Sequence, residues 1–123
     1  PSTQPHIVRI IVHDAGQHIG PYGIETVDTP HLERLATEGV RFANSFCVSP
    51  LCSPSRASMV TGRYPHQNGV MGLTHKPFAW DLDADEQHMA SILSEAGWDS
   101  VLAGINHAAR EDDAYFDTVL GNN

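Results

Sequence analysis

A cysteine and an arginine lie close together in residues 52–63, which read Cys-Ser-Pro-Ser-Arg-Ala-Ser-Met-Val-Thr-Gly-Arg. Pro54 is favoured in the first turn of a helix, so this segment predicts a helix that begins beside Cys52. The amides of that first turn and the guanidinium of Arg56, one turn further on, both favour an anion. The planar fork of N–H donors on Arg56 suits the oxygens of sulfate or phosphate. The residues alone therefore predict a thiol nucleophile in an anion-binding site.

Each of these residues also has an ordinary structural interpretation. A free cysteine is usually a small buried hydrophobe, and Cys47, in an alternating apolar segment, is expected to be one. A disulfide between Cys47 and Cys52 is a less favoured alternative. For Arg56 the alternative is a salt bridge on the helix surface. The complete twelve-residue segment favours the anion site over these interpretations.

A second candidate region follows the apolar run of residues 6–13, His-Ile-Val-Arg-Ile-Ile-Val-His. This β-branched run predicts a buried strand of a parallel sheet. Open α/β sheets bind ligands at the carboxyl ends of their strands, which makes Asp14 a candidate ligand, with a turn cap as the alternative. His13 is a ligand, a hydrogen-bond donor near the ligand, or a packed residue at the strand end. His107, near the end of another predicted strand, is a site residue or a polar surface group.

Periodicity and boundary residues predict the elements that position these side chains. Thr29 and Pro30 begin a helix that Gly39 ends. The predicted strands are residues 6–13, 40–48 and 99–103. Further helices are predicted over residues 53–62 and 89–96, and the residues between 63 and 85 are mostly loop. Asp83, Asp85 and Glu86 lie at the N-terminal end of the last helix. Residues 112–123 predict a turn and a short helix. The alternation indicates an α/β fold with a mainly parallel sheet flanked by helices.

Composition excludes several classes of protein. The 123 residues carry a formal net charge of -8, with 41% hydrophobic and 18% charged residues, which is ordinary for a globular protein. An acidic chain without a basic stripe repels phosphate backbones, so nucleic-acid binding is not expected. No apolar run approaches the ~20 residues of a membrane-spanning helix, and the first five residues have no signal-peptide character. Two cysteines are too few for a disulfide framework, and the compartment stays open.

The segment from Cys52 to Arg63 resembles the signature of the formylglycine-dependent sulfatases, a family within the alkaline phosphatase superfamily. The resemblance covers roughly residues 6–107. Its other parts, in family order, are Thr29-Pro30-His31-Leu32, Gly39-Val40-Arg41-Phe42, Gly62-Arg63-Tyr64-Pro65-His66 and Gly104 to His107. Within the family, residues 52–58 with residues 65–69 and 72–73 look most like the N-sulfoglucosamine (heparan) sulfohydrolase branch. The resemblance implies an alkaline-phosphatase-like α/β fold.

The same resemblance implies a catalytic role for each matching residue. Cys52 would be oxidised to formylglycine by a formylglycine-generating maturation enzyme, and its hydrate would attack sulfur as a nucleophile that also has a built-in release step. Arg56 would steady that nucleophile, and His107 would contact the sulfate or the leaving group. Asp14, His13 and the modified Cys52 would coordinate a divalent cation, with Ca²⁺ favoured over Mg²⁺. The expected substrate is a small-molecule or oligosaccharide sulfate ester, or a sulfamate.

Two positions depart from the family pattern. His13 occupies the place of the first aspartate of a metal-binding pair, and imidazole is a poor ligand for a hard cation. Ile105 occupies the place of a sulfate-binding lysine that many members have. Because sulfatases are several times longer, residues 1–123 are expected to be the N-terminal portion of a catalytic domain, with self-association through uncovered sheet surface. The alternatives are a phosphonate or phosphodiester hydrolase of the same superfamily, and an inactive fragment that binds sulfated glycans.

Overall fold

A computed structural model describes residues 4–110 and 112–121 of the chain. By its contacts the chain divides into two compact units, Pro1–Ser45 and Phe46–Asn123, which are described separately. In the described part, the helices are α1 (Pro30–Glu38), α2 (Cys52–Thr61), α3 (Pro65–Asn68) and α4 (Met89–Glu95), and the strands are β1 (Val101–Ala103) and β2 (Thr118–Leu120). Short 3₁₀ turns form at Gly20–Tyr22 and Asp112–Tyr115. None of the helices described is long and apolar enough to cross a membrane.

The first unit is built around α1. The helix has Pro30 at its first position, and the backbone N–H of Gly39 donates to the carbonyl of Leu35 at its end, so both predicted boundaries are confirmed. Thr29 does not cap the helix with its side chain; its Oγ1 instead accepts a hydrogen bond from the backbone N–H of Gly20, 3.0 Å away. The hydroxyl that would cap α1 thus holds the preceding 3₁₀ turn against the helix start.

Two predicted strands do not form. Residues 6–13 and 40–48 carry no strand in the described structure, and their apolar side chains are exposed, Val8 at 81% and Phe46 at 88%. An apolar, β-branched run shows that a segment suits burial, but a strand forms only where a neighbouring strand pairs with its backbone N–H and C=O groups. The expectation that Cys47 is a core residue is wrong for the same reason, because its side chain is exposed.

The second unit has its core on α2. Ala57, Val60, Val70 and Ala108 form a buried cluster, against which Leu82 packs. After α2, Gly62 adopts a left-handed conformation with φ of 71°, as expected for a glycine that ends a helix. The short helix α3, which falls in a segment predicted to be loop, begins at Pro65. The buried side chain of Asn68 ties α3 to the end of α2, because its Nδ2 donates to Thr61 and Arg63 and its Oδ1 accepts from Val70.

The predicted helix over residues 89–96 is confirmed as α4, but its N-terminal end differs from expectation. His88 is the N-cap, and its Nδ1 accepts from the backbone N–H of Ala90 at 3.1 Å. Glu86, one of the acidic residues expected at this end, pairs with Arg63 instead. Asp81, further before the helix, accepts hydrogen bonds from the backbone N–H groups of Leu82 and Arg110. A cap of this kind has no sequence signature, because histidine is not among the preferred N-cap residues.

The sheet consists of β1 and β2, which pair in parallel with Val101 opposite Thr118. The strand predicted at residues 99–103 is confirmed as β1, whereas β2 lies in the segment predicted as turn and short helix. Asp117 holds the two strand starts and α4 together, because its carboxylate accepts from Ser100 N–H at 2.8 Å, Ser100 Oγ at 2.7 Å and Ser94 Oγ at 3.0 Å. These hydrogen bonds, with those from Ser100 foremost, hold the pKa of Asp117 below its ordinary value. The observed parallel pair with flanking helices confirms the α/β class.

Candidate active site

Cys52 is the first residue of α2. Leu51 caps the helix in an extended conformation, and the backbone N–H of Ser55 donates to the Leu51 carbonyl at 3.0 Å to close the first turn. The Cys52 side chain is half-buried, its thiol is free, and its Sγ lies 4.0 Å from the Oγ of Ser53. The thiol is therefore at the positive end of a ten-residue helix, where negative charge is favoured.

Ser53 connects this helix start to a loop that is distant in sequence. Its side chain is fully buried, and its Oγ accepts a hydrogen bond from the backbone N–H of Thr74 at 3.3 Å. The two hydroxyls also pair at 3.4 Å. Thr74 is itself buried. The residue next to Cys52 thus holds the loop around Thr74 in place, a contact that residue types alone did not indicate.

Arg56 lies one turn beyond Cys52 and is only 7% exposed. Its Nη1 donates to the backbone carbonyl of Ile105 at 2.9 Å and to that of Asn106 at 3.0 Å. The alternative of a surface salt bridge is therefore wrong for Arg56. A buried guanidinium is stabilised by such carbonyl partners, and they fix its plane relative to the helix start. Arg56 thereby brings residues 105–106 to the first turn of α2.

His107 follows directly after this segment. Its φ of 58° lies in the left-handed region, which is uncommon for a residue other than glycine and persists where the surroundings hold it. Its ring centroid is 6.3 Å from that of His75, with the planes inclined by 52°. The Nδ1 of His75 is 2.9 Å from the carbonyl oxygen of Lys76. Because a carbonyl oxygen only accepts, that nitrogen carries a proton.

Three residues that the sequence singled out for catalysis thus lie in the second unit around one helix start. Cys52 and Arg56 come from α2 itself, and His107 follows a segment that Arg56 binds. Sequence analysis did not single out Ser53 and Thr74, because two hydroxyl residues 21 positions apart form no distinctive sequence pattern. His75 is exposed, and its ring lies close to that of His107.

The remaining two candidates lie in the first unit. His13 Nε2 is 3.5 Å from Asp14 Oδ2, and both side chains are well exposed. Asp14 has φ of 54°, a conformation that aspartate tolerates better than most residues. Ca²⁺ takes six or more oxygen ligands, whereas this pair offers one carboxylate and one imidazole. Among the residues described, no three His, Cys, Asp or Glu side chains are grouped so that they could hold a metal. The donors described here therefore do not fit a complete site for a hard cation.

Fold and site together define an α/β protein with a cysteine at the start of a helix, where the first-turn amides favour negative charge. The sequence profile of the family named Sulfatase matches residues 5–123, and the chain belongs to this family. It is 35% identical over 112 residues to human N-acetylgalactosamine-6-sulfatase, covering 84% of this chain and 22% of that protein. It is 34% identical over 113 residues to human steryl-sulfatase, covering 86% of this chain and 19% of that protein.

Solved structures agree with this assignment. A structure determined in complex with its substrate D-glucosamine-2-N,6-O-disulfate superimposes with a TM-score of 0.66 at 30% identity, covering 84% of this chain and 20% of the other. The expected alkaline-phosphatase-like α/β fold is confirmed by this similarity. The chain spans about a fifth of the length of the curated relatives named above.

Proposed function

We propose that this chain carries the nucleophile of a sulfuric ester hydrolase, and that the substrate is a sulfated sugar or a related ester or sulfamate. The observation that supports this most strongly is the buried Arg56, which joins the helix start bearing Cys52 to the segment preceding His107. Family membership gives the reaction class. The sugar preference is supported by two similar proteins: one is named N-acetylgalactosamine-6-sulfatase, and the other was solved with the substrate D-glucosamine-2-N,6-O-disulfate.

Cys52 is the proposed precursor of formylglycine, produced by a maturation enzyme. When hydrated, that group supplies one hydroxyl to attack sulfur and a second whose deprotonation permits release of sulfate. The position of Cys52 suits such a residue, because the first turn of α2 favours the negative charge that develops on oxygen there. Ser53 and its partner Thr74 hold this turn in place, which keeps the nucleophile in one orientation.

Arg56 and His107 have different proposed roles. The guanidinium of Arg56 is fixed by two carbonyls, so it acts as a preorganised positive charge beside the nucleophile. His107 is proposed to contact the sulfate or to protonate the leaving oxygen or nitrogen, since imidazole exchanges protons near neutral pH. The closeness of its ring to His75 makes that part of the site rich in N–H donors.

Asp14 is proposed as one carboxylate ligand of a divalent cation, Ca²⁺ or Mg²⁺. Its exposed carboxylate is a hard oxygen donor of the kind these ions prefer. His13, in contact with Asp14, is proposed to orient that carboxylate rather than to bind the ion, because imidazole suits softer metals. The N-sulfoglucosamine sulfohydrolase branch remains the proposed subfamily, and it would make the leaving atom nitrogen.

The experiment uses the full-length protein produced with a working maturation system. Mass spectrometry of the peptide containing Cys52 should show CH₂SH replaced by CHO, and an aryl sulfate should be hydrolysed faster than the matched aryl phosphate or phosphonate. Cys52→Ala should abolish turnover. Cys47→Ala is the matched control, because Cys47 is an exposed free thiol of the same chain, and it should retain activity. An unmodified thiol, or equal rates on sulfate and phosphate esters, would contradict the proposal.

A further inference from the structure

His75 directly follows Thr74, and the proposed reaction assigns it no contact with the substrate. We infer that His75 is a second imidazole of the anion site and binds the sulfate oxygens of the substrate together with His107. This inference rests on the proposed function, because it assigns one more contact to the same anion. Its physical basis is the way in which two separate chain segments are held at the start of α2.

The first segment is held through Ser53. The fully buried Oγ of Ser53 accepts from the backbone N–H of Thr74 at 3.3 Å and pairs with the Thr74 hydroxyl at 3.4 Å. Ser53 directly follows Cys52, and His75 directly follows Thr74. Consecutive Cα atoms are about 3.8 Å apart, so the backbone of His75 is held within a short distance of the helix start. An exposed loop residue without such a contact would not be fixed there.

The second segment is held through Arg56. Its Nη1 binds the carbonyls of Ile105 and Asn106 at 2.9 and 3.0 Å, and His107 directly follows. These hydrogen bonds involve neither Ser53 nor Thr74, so the two imidazoles are brought to α2 by independent contacts. Their ring centroids are nevertheless only 6.3 Å apart. Two independent sets of hydrogen bonds therefore hold to α2 the residue before each histidine, and the two rings lie close enough together to share one ligand.

The ring geometry suits an anion between the two residues. The planes are inclined by 52°, so the rings do not stack on each other. With N–H···O distances of about 2.9 Å, two donors on rings so placed can reach different oxygens of one tetrahedral anion. The Nδ1 of His75 already donates to the carbonyl of Lys76, so Nε2 is the nitrogen that would hydrogen-bond to the ligand. In its doubly protonated form the ring donates from that nitrogen as a cation.

A structural role for His75 is the competing explanation. Its ring meets the edge of Phe78, with centroids 6.3 Å apart and planes at 76°. If packing on Phe78 were the only role of His75, an aromatic ring without nitrogen would preserve its function. If anion binding is its role, a cationic side chain without a ring would preserve its function instead. The two substitutions His75→Phe and His75→Lys therefore separate shape from charge.

The test measures the dissociation constant of inorganic sulfate by titration calorimetry on the full-length, matured protein, at one fixed pH near 6. His75→Phe should weaken sulfate binding about tenfold, as loss of a charge-assisted hydrogen bond predicts. His75→Lys should stay within about threefold of the parent. His66→Phe is the matched control, because His66 is also exposed and stacks on Tyr64, and it should leave sulfate affinity unchanged.

Turnover of an aryl sulfate is measured in parallel, so that the two proposals fail separately. If the parent binds sulfate with this dependence on His75 but hydrolyses no sulfate ester, the proposed function is wrong and the assignment of His75 stands. If the parent hydrolyses sulfate esters while His75→Phe binds sulfate as tightly as the parent does, the assignment of His75 is overturned. Equal losses in the phenylalanine and lysine variants would also overturn it, because charge would then not be the reason.

Discussion

Replacement of Arg56 by alanine should loosen the connection between α2 and residues 104–108. The guanidinium is 7% exposed, and one nitrogen donates to two backbone carbonyls at 2.9 and 3.0 Å. Hydrogen bonds to a charged group contribute about 1.5–3 kcal/mol, and a carbonyl left buried without a donor adds to the loss. Since a single nitrogen makes both bonds, their contributions do not simply add. We therefore expect a local destabilisation of about 3 kcal/mol.

Amide hydrogen exchange measured by mass spectrometry on the full-length protein reports this loss locally. At about 1.4 kcal/mol for each factor of ten, exchange through local opening should become about a hundredfold faster in peptides from α2 and residues 104–108. Arg56→Lys should give an intermediate increase, because an ammonium retains the charge but lacks the guanidinium plane that fixes the two N–H groups of Nη1 toward the carbonyls. Peptides of the first unit should exchange at the parent rate.

Arg34→Ala is the matched control for this experiment. Arg34 is an exposed arginine on α1 whose Nε is 3.9 Å from Glu38, and such surface pairs contribute only about 0.3–0.5 kcal/mol. Its loss should change exchange in α2 by less than about twofold. If Arg56→Ala behaved like Arg34→Ala, the two carbonyl contacts would not hold the site together, and the reasoning that joins Arg56 to the segment before His107 would be refuted.

Three further predictions concern the second unit, and peptide-level hydrogen exchange checks each of them. Glu86→Gln removes the charge of a side chain that is 2% exposed and pairs with Arg63, and should destabilise its surroundings by about 1–2 kcal/mol, whereas the exposed Asp85→Asn should change little. His88→Ala removes the N-cap of α4 and should destabilise that helix by about 1 kcal/mol. If hydrogen exchange in α4 did not change, the assignment of His88 as the cap would be wrong. The pKa of Asp117 is lower in the folded protein than in the unfolded chain, so its stabilising effect is complete above the unfolded pKa and disappears as pH falls through the folded value. Asp117→Asn should remove this dependence of hydrogen exchange on acid pH from β1 and β2. If the variant kept the parent's pH dependence, Asp117 would not be its cause.

Sequence alone determined the elements whose boundaries are local. Pro30 and Gly39 delimit α1, and Gly62 ends α2 with a left-handed conformation, because the restricted φ of proline and the freedom of glycine act within one turn. The segment from Cys52 onwards also predicted a helix with a thiol at its start, and the structure has that helix. These features need no knowledge of distant residues, so residue types at fixed spacing were sufficient.

Tertiary structure decided which distant segments meet that helix. Ser53 meets Thr74, 21 residues away, and Arg56 meets Asn106, 50 residues away, through a hydroxyl and through backbone carbonyls that every residue possesses. Such contacts leave no pattern in the sequence, since any residue offers a carbonyl. The run at residues 6–13 shows the converse, because an apolar pattern typical of a strand does not form one without a partner for its backbone. Local chemistry placed Cys52, Ser53 and Arg56 on one helix, and only the tertiary contacts brought Thr74 and the segment before His107 to that helix.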